Sequence, residues 1–197
     1  MSAAAIVNAD TLQLRQGWVE VLLQIVNSRG KGEYVMLRCM HLVGIALFVI
    51  VKVEHAPHIR NVMMGIKKTG MGGMAGNKGK SVIFTTYKAQ SINQTPEGGV
   101  ALSFNFHDTS LCFLTAHLAA GTPCEERNKD YATITNGLVF RGKRLEDHDV
   151  VFWLGDFNYR VALPNDEVRV KIRSGAWMDL IPYDQVPETI FCTPHTH

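Results

Sequence analysis

A mixed α/β layered fold is expected for this 197-residue chain, and three features of the sequence predict it. Several short β-branched, apolar runs follow one another, each bounded by turn residues. A few segments with helical spacing of apolar positions are interspersed among them. No linker or internal repeat divides the chain, whose length suits one core and is short for two domains.

The elements follow in order. Residues 10–27 predict a helix, because Leu12, Leu14, Trp18, Leu22, Ile25 and Val26 roughly keep a 3.6 period behind Asp10 as N-cap. Ser28–Gly32 is a turn. Tyr34–His41 and Leu42–Val53 predict strands, apolar enough to be buried on both faces. After a break at Pro57, Ile59–Ile66 is a third strand. Thr69–Gly79 holds five glycines in eleven residues and must be a loop. Strands are expected again at Ser81–Tyr87, Val100–Phe106, Leu111–Leu118 and Val150–Leu154, with Gln90–Gly99 a polar hairpin loop. Pro123–Leu138 and Pro164–Ser174 predict helices, the second opening on Pro164-Asn165-Asp166-Glu167 in good N-terminal order. Trp18, Trp153 and Trp177 are assigned to the core, and Asp147-His148-Asp149 to the charged start of a strand.

Composition excludes several classes. With 46% hydrophobic residues the chain is neither disordered nor of low complexity. The longest apolar run, Leu42–Val53, is far below the ~20 residues of a membrane span, and no secretory leader is recognised at the start. Cysteines at 39, 112, 124 and 192 form no C-x-x-C pair, which argues against a disulfide framework or zinc knuckle and for a reducing, cytoplasmic setting. None has an Arg six residues on, so the thiolate phosphatase signature is absent. The net charge of +2 hides an imbalance: His55–Pro96 carries six Lys or Arg and no acid, against fourteen basic and eighteen acidic residues elsewhere.

Three stretches could carry chemistry. In Asp149-Val-Val-Phe-Trp-Leu-Gly-Asp156-Phe-Asn158-Tyr-Arg160, a buried strand runs into glycine, then a carboxylate, an amide and a guanidinium. Period-2 alternation would point Asp156 and Asn158 to one side, where the carboxylate could take a proton from water and the amide could bond an anionic oxygen. The bland alternative is a polar strand exit with Asp156 capping a turn. In Leu111–Gly121, His117 ends an apolar strand and suits proton transfer or phosphate orientation, although a structural histidine is the commoner use. In Lys67–Lys80, glycines and lysines suit a phosphate, and Met71 and Met74 would give an apolar tip for a lipid surface. Gly79-Lys80-Ser81 ends like a nucleotide P-loop, but Met74 stands where its first glycine belongs and a strand-like run follows, so a P-loop is rejected. His195 and His197 are read as a frayed end, not a metal pair.

Together these stretches resemble the inositol polyphosphate 5-phosphatase family, in particular synaptojanin-like fungal members. The resemblance rests on Lys68-Thr-Gly-Met-Gly-Gly73 with Gly76-Asn-Lys-Gly79, Thr115-Ala-His-Leu-Ala-Ala-Gly121, Glu126-Arg-Asn-Lys-Asp-Tyr131 and Trp153-Leu-Gly-Asp-Phe-Asn-Tyr-Arg160, followed by Asp184-Gln185. It covers about residues 6–185, and 186–197 diverge. It implies an endonuclease/exonuclease/phosphatase-type α/β fold, a layered β-sandwich flanked by helices, here incomplete, so that 1–197 would be a partial catalytic domain.

The resemblance also implies Mg²⁺-dependent removal of the 5-phosphate from phosphoinositides, such as phosphatidylinositol 4,5-bisphosphate, or from inositol polyphosphates. By match, Asp156 would orient or deprotonate the attacking water, Asn158 would hold the scissile phosphate, and His117 would assist in the same pocket. Lys68, Asn77 and Lys78 would lie beside the substrate, Arg160 would support the loop, and Met71 and Met74 would sit near the lipid. The chain would meet anionic membrane peripherally from the cytoplasm. No nucleic acid is expected as a partner, although the same fold serves Mg²⁺-dependent nucleases. The family's metal-binding Asn and Glu fall upstream of residue 1, and its later Lys-Tyr, Pro-Ala-Trp-Cys-Asp-Arg and Ser-Asp-His segments are not matched. This chain alone is therefore expected to be catalytically crippled, the alternative being a non-catalytic phosphoinositide- or partner-binding remnant.

Overall fold

The computed structural model describes residues 3–42, 44–69, 97–121 and 124–186, with side chains of the first helix from Gln16 onward. The chain runs α1 (Ala3–Arg29), β1 (Tyr34–Leu42), β2 (Ile45–Lys52), a 3-10 turn (Val53–His58), β3 (Ile59–Lys68), β4 (Gly98–Phe106), β5 (Thr109–His117), α2 (Cys124–Gly137), β6 (Val139–Phe140), β7 (Lys143–Arg144), β8 (Val150–Asp156), α3 (Asn165–Arg173) and a second 3-10 segment (Trp177–Tyr183). The expected loop over 70–79, the strand at 81–87 and the residues Met71, Met74, Asn77, Lys78, His195 and His197 lie outside the described residues.

A four-stranded sheet in the order β3-β4-β5-β8 organises the molecule. The first two pairings are antiparallel and β5 pairs β8 in parallel, so the sheet is mixed. The β1–β2 hairpin covers one face. There Met40, Leu42, Leu47 and Val49 pack on Val100, Leu102 and Phe104. The other face carries α2 and the small β6–β7 hairpin, with Ala101, Cys112, Leu114 and Ala116 against Ile134, Leu138, Phe140 and Leu145. Strict alternation along β4 feeds both layers: Val100, Leu102 and Phe104 go to the β1–β2 hairpin, Ala101 and Ser103 to the opposite face. Leu102 and Leu114 are wholly buried, each contributing about 2 kcal/mol by area. Burial also pushes the Cys112 thiol up to about 12, which marks it as a core group and not a nucleophile.

Several expectations need correction. α1 begins at Ala3, seven residues before Asp10, because the alanines ahead of Asp10 are good helix formers and extend the helix past that N-cap. The apolar run at 42–53 is broken by a turn, so β2 starts at Ile45, and Gly44 there has φ 79°. β1 and β2 are not buried on both faces: they form a two-stranded hairpin with Val35 exposed on its outer side. β8 is not a buried strand but, among the described residues, the edge of the sheet, and Val150, Val151, Phe152 and Leu154 are all exposed. Trp18 and Trp177 are exposed, 60% and 59%, because α1 and the second 3-10 segment lie outside both core layers. Trp153 is half-buried and stacks on Tyr131, 4.5 Å between ring centroids.

His148 is not a surface charge. It is buried, with Nε2 2.7 Å from Ser103 Oγ and Nδ1 2.8 Å from the Arg144 carbonyl and 3.1 Å from that of Leu145. Two carbonyls can only accept, so Nδ1 carries the proton and Nε2 accepts from the Ser103 hydroxyl. The neutral ring thereby pins the turn before β8 to β4. Burial lowers its pKa, partly opposed by the Leu145 and Arg144 carbonyls. The unfolded state therefore takes up a proton that the folded state resists. The contribution of His148 is complete above the unfolded value of 6.5 and is lost as pH falls below it. Melts or urea titrations across this range should show stability falling on acidification by up to about 1.4 kcal/mol per pH unit from this group. His148→Gln should flatten that dependence; an unchanged slope would exclude His148 as its source.

Candidate active site

The site follows from strand register. Lys68 pairs with Gly98, Gly98 with His117, and His117 with Asp156, so four residues form one row across the whole sheet. Paired residues project from the same face, and neighbouring strands are about 4.8 Å apart. β3, β5 and β8 all run in one direction, so Lys68, His117 and Asp156 are the last residues of three strands that end on one sheet margin. The C-terminal margin of such strands is where α/β sheets gather ligands.

Gly155 makes the register possible. Its φ is 129°, and a Cβ there would fall on the Ala116 carbonyl oxygen and 2.8 Å from the Ala116 nitrogen. Only glycine lets β8 lie this close to β5. Past Asp156 the strand ends, and Asn158 adopts φ 54°. The alternation that would align Asp156 with Asn158 therefore does not extend that far. Instead the Asn158 N–H donates to Asp156 Oδ1 at 3.1 Å, a local turn in which the carboxylate caps its own loop. The Asn158 side chain donates from Nδ2 to the Leu118 carbonyl at 2.9 Å and accepts at Oδ1 from Arg160 Nη2 at 3.3 Å. One Nδ2 proton goes to Leu118 and the amide has a second to offer. Asp156 is exposed, His117 is half-buried, and Lys68, half-buried, has its pKa lowered by desolvation.

The structure thus brings Lys68, His117, Asp156, Asn158 and Arg160 to one margin. Two contributors escaped sequence reasoning. The β1–β2 turn stands against His117, since a Cβ built at Gly44 would lie 3.8 Å from His117 Nδ1. The signal for it was a glycine interrupting an apolar run. The second is α2, whose polar residues reach both strand exits: Asp130 Oδ2 accepts from Ala119 N–H at 3.0 Å, and Tyr159 donates to Asn128 Oδ1 at 2.7 Å. Burial pushes the Tyr159 hydroxyl up to about 12, so it remains a donor.

Among the described residues no three His, Cys, Asp or Glu side chains come together as a cation site. His117 and Asp156 supply two donors in register and no third, so these residues do not by themselves fit a bound divalent ion.

Comparison with known proteins gives the family. The family model described as "Endonuclease/Exonuclease/phosphatase family 2" matches residues 1–190, and the chain belongs to that family. Within it the relatives are synaptojanins and inositol polyphosphate 5-phosphatases. The chain is 44% identical over 188 residues to Synaptojanin-1 of Rattus norvegicus, covering 94% of this chain and 10% of that protein. It is 41% identical over 186 residues to inositol-1,4,5-trisphosphate 5-phosphatase 1 of Schizosaccharomyces pombe, covering 92% and 15%. Among solved structures, the inositol polyphosphate 5-phosphatase domain of SpSynaptojanin, in complex with inositol (1,4)-bisphosphate and calcium ion, superposes with TM-score 0.72 at 38% identity. That match covers 90% of this chain and 47% of the other. Cimex nitrophorin, at TM-score 0.59 and 18% identity, shares the fold alone. The chain therefore spans about a tenth of the length of the synaptojanin it matches and under half of the solved domain. The expected fold and the resemblance to 5-phosphatases are both borne out. Among the described residues no helix is long and apolar enough to cross a membrane.

Gly155→Ala should lower the unfolding free energy by about 3 kcal/mol or more, because strain at positive φ adds to a backbone clash. Urea titration measures the loss. A change below about 1 kcal/mol would mean that the β5–β8 register is not held by this glycine.

Proposed function

We propose that residues 1–197 are a partial phosphoinositide 5-phosphatase domain whose sheet margin binds and orients the 5-phosphate of a phosphoinositide or inositol polyphosphate. The observation that carries this reading is the single row Lys68–Gly98–His117–Asp156, in a chain 38% identical to a domain solved with inositol (1,4)-bisphosphate. Lys68 provides a cation for phosphate oxygens, and Asn158 has an amide proton to donate to one. His117 holds or moves a proton beside them, and Asp156 orients or deprotonates the attacking water. Asn77 and Lys78 would extend the phosphate contacts, and Arg160 supports the Asn158 loop.

Magnesium is the proposed cofactor, supported by the calcium ion in the solved relative. The described residues assemble no site for it, so no step through a metal is assigned to this chain, and catalysis by the chain alone is expected to be weak. The acid-free segment His55–Pro96 with its six basic residues supports peripheral contact with anionic membrane, to which Met71 and Met74 would add apolar side chains.

Two measurements test the reading. Inositol 1,4,5-trisphosphate, which carries the 5-phosphate, titrated without metal into the isotope-labelled chain should move the resonances of Lys68, His117 and Asp156. Lys68→Ala should weaken binding about tenfold, the loss of one charge-assisted contact. Shifts confined to other surfaces would overturn the site. In parallel, phosphate release from a 5-phosphorylated phosphoinositide with Mg²⁺ should stay near background. Turnover at the level of an intact relative, abolished by Asp156→Ala, would refute the crippled state while upholding the site.

A further inference from the structure

We infer that one turn of α2 is the positioning device of this site, with Asp130 and Arg127 fixing the main chain that presents His117 and Asn158. The inference rests on the function proposed above. Both side chains are buried, Arg127 to 2% and Asp130 to 8% exposure, and burying an ionised group costs several kcal/mol unless its hydrogen bonds are satisfied. Both spend hydrogen bonds on the same residue. Asp130 Oδ2 accepts from the Ala119 N–H at 3.0 Å, and Arg127 Nη1 donates to the Ala119 carbonyl at 3.3 Å. Ala119 stands two residues beyond His117.

Neighbouring bonds complete the restraint. Leu118 N–H donates to the Asp156 carbonyl at 3.1 Å, and the Leu118 carbonyl accepts from Asn158 Nδ2 at 2.9 Å. The chain leaving His117 is therefore bonded, within two residues, to β8, to the loop beyond β8 and to α2. On its other side Arg127 Nη2 donates to Gln185 Oε1 at 2.8 Å, and that oxygen also accepts the Arg160 N–H at 3.0 Å. Gln185 N–H returns a bond to the Arg160 carbonyl at 3.0 Å. Arg127 thus reaches the exit of β5 directly and the exit of β8 through Gln185.

The same turn also lies beside the exit of the third strand, β3. Thr69 follows Lys68 directly, and its hydroxyl is buried without a hydrogen-bond partner of good geometry. It still lies close enough to the Asp130 carboxylate to favour its charge. Desolvation, the largest influence, raises the Asp130 pKa, and Glu97 and Glu126 act in the same direction. Arg127 and Asp130, three residues apart, face the same way. Apolar anchoring of α2 is supplied further along, by Ile134. The polar turn is therefore not needed to bury the helix. Its bonds set where the exits of β5 and β8 stand relative to one another, and a displacement of 1 Å in such an arrangement is enough to disable it.

The test uses NMR of this chain and needs neither turnover nor ligand, so its failure is separable from failure of the phosphatase reading. Asp130→Ala should speed exchange of the Ala119 amide at least about tenfold and shift the His117 ring and Asn158 side-chain resonances. Asp130→Asn, which keeps an acceptor for the Ala119 N–H, should restore all three. Ile134→Ala, on the same helix, should lower the melting temperature without moving the His117 and Asn158 signals. Equal movement of those signals in Asp130→Ala and Ile134→Ala, or no rescue by Asp130→Asn, overturns the inference. If Asp130→Ala does not fold, Arg127→Lys decides. It cannot span Ala119 and Gln185 together, so it should displace the Asn158 and Arg160 resonances in a folded chain. Unchanged resonances there overturn the inference.

Discussion

The parallel pairing of β5 with β8 is the interaction on which the rest of this structure depends. It sets His117 opposite Asp156, and no other described contact brings these two residues, thirty-nine positions apart, to one place. It also aligns Phe113 with Phe152, whose rings stack 4.8 Å apart, and Leu114 with Trp153. A one-residue slip would turn every β8 side chain to the opposite face. Gly155 closes off that alternative at the strand's end, where any larger residue would meet the Ala116 backbone.

Two kinds of force divide the labour around this pairing. Apolar burial on both faces of β4 and β5 holds the sheet and is tolerant of detail. The strand ends are held instead by directional bonds that each use a buried polar group: Asp130 and Arg127 at Ala119 beyond β5, and, at the start of β8, His148 with Ser103 and Ser110 with the exposed Asp149 at 2.6 and 2.7 Å. Directional bonds in a buried setting fix position where apolar packing alone would allow sliding. The molecule places them at the two ends of β8, the strand with the least apolar cover.

That cover is uneven for a geometric reason. The β1–β2 hairpin lies over β4 and β5, so Phe104 and Phe113 are sheltered, while Phe152, next in the same stacked row, is 45% exposed. Val150 and Leu154 share that face. The apolar character of β8 is therefore a property of its sequence that the described fold leaves unburied, and it runs directly into the polar margin at Asp156.

Much of the fold was legible in the sequence because alternation and helical spacing are local signals. β3, β4, β5, α2 and α3 fall within a few residues of expectation, and Gly155-Asp156 and His117 were recognisable as polar strand ends. The exposure of β8, the turn at Gly44 and the burial of His148 were not legible. Each depends on what packs opposite, and identical apolar patterns serve an edge strand and a central one. By itself the sequence determined β3, β4, β5 and β8, the polar residues at the ends of β5 and β8, the charge imbalance and the family, but not the short β6–β7 hairpin. The tertiary structure decided that Lys68, His117 and Asp156 share one row and that α2 bonds the exits of β5 and β8. Register between strands distant in the chain is set by packing and hydrogen bonding, which no single segment encodes.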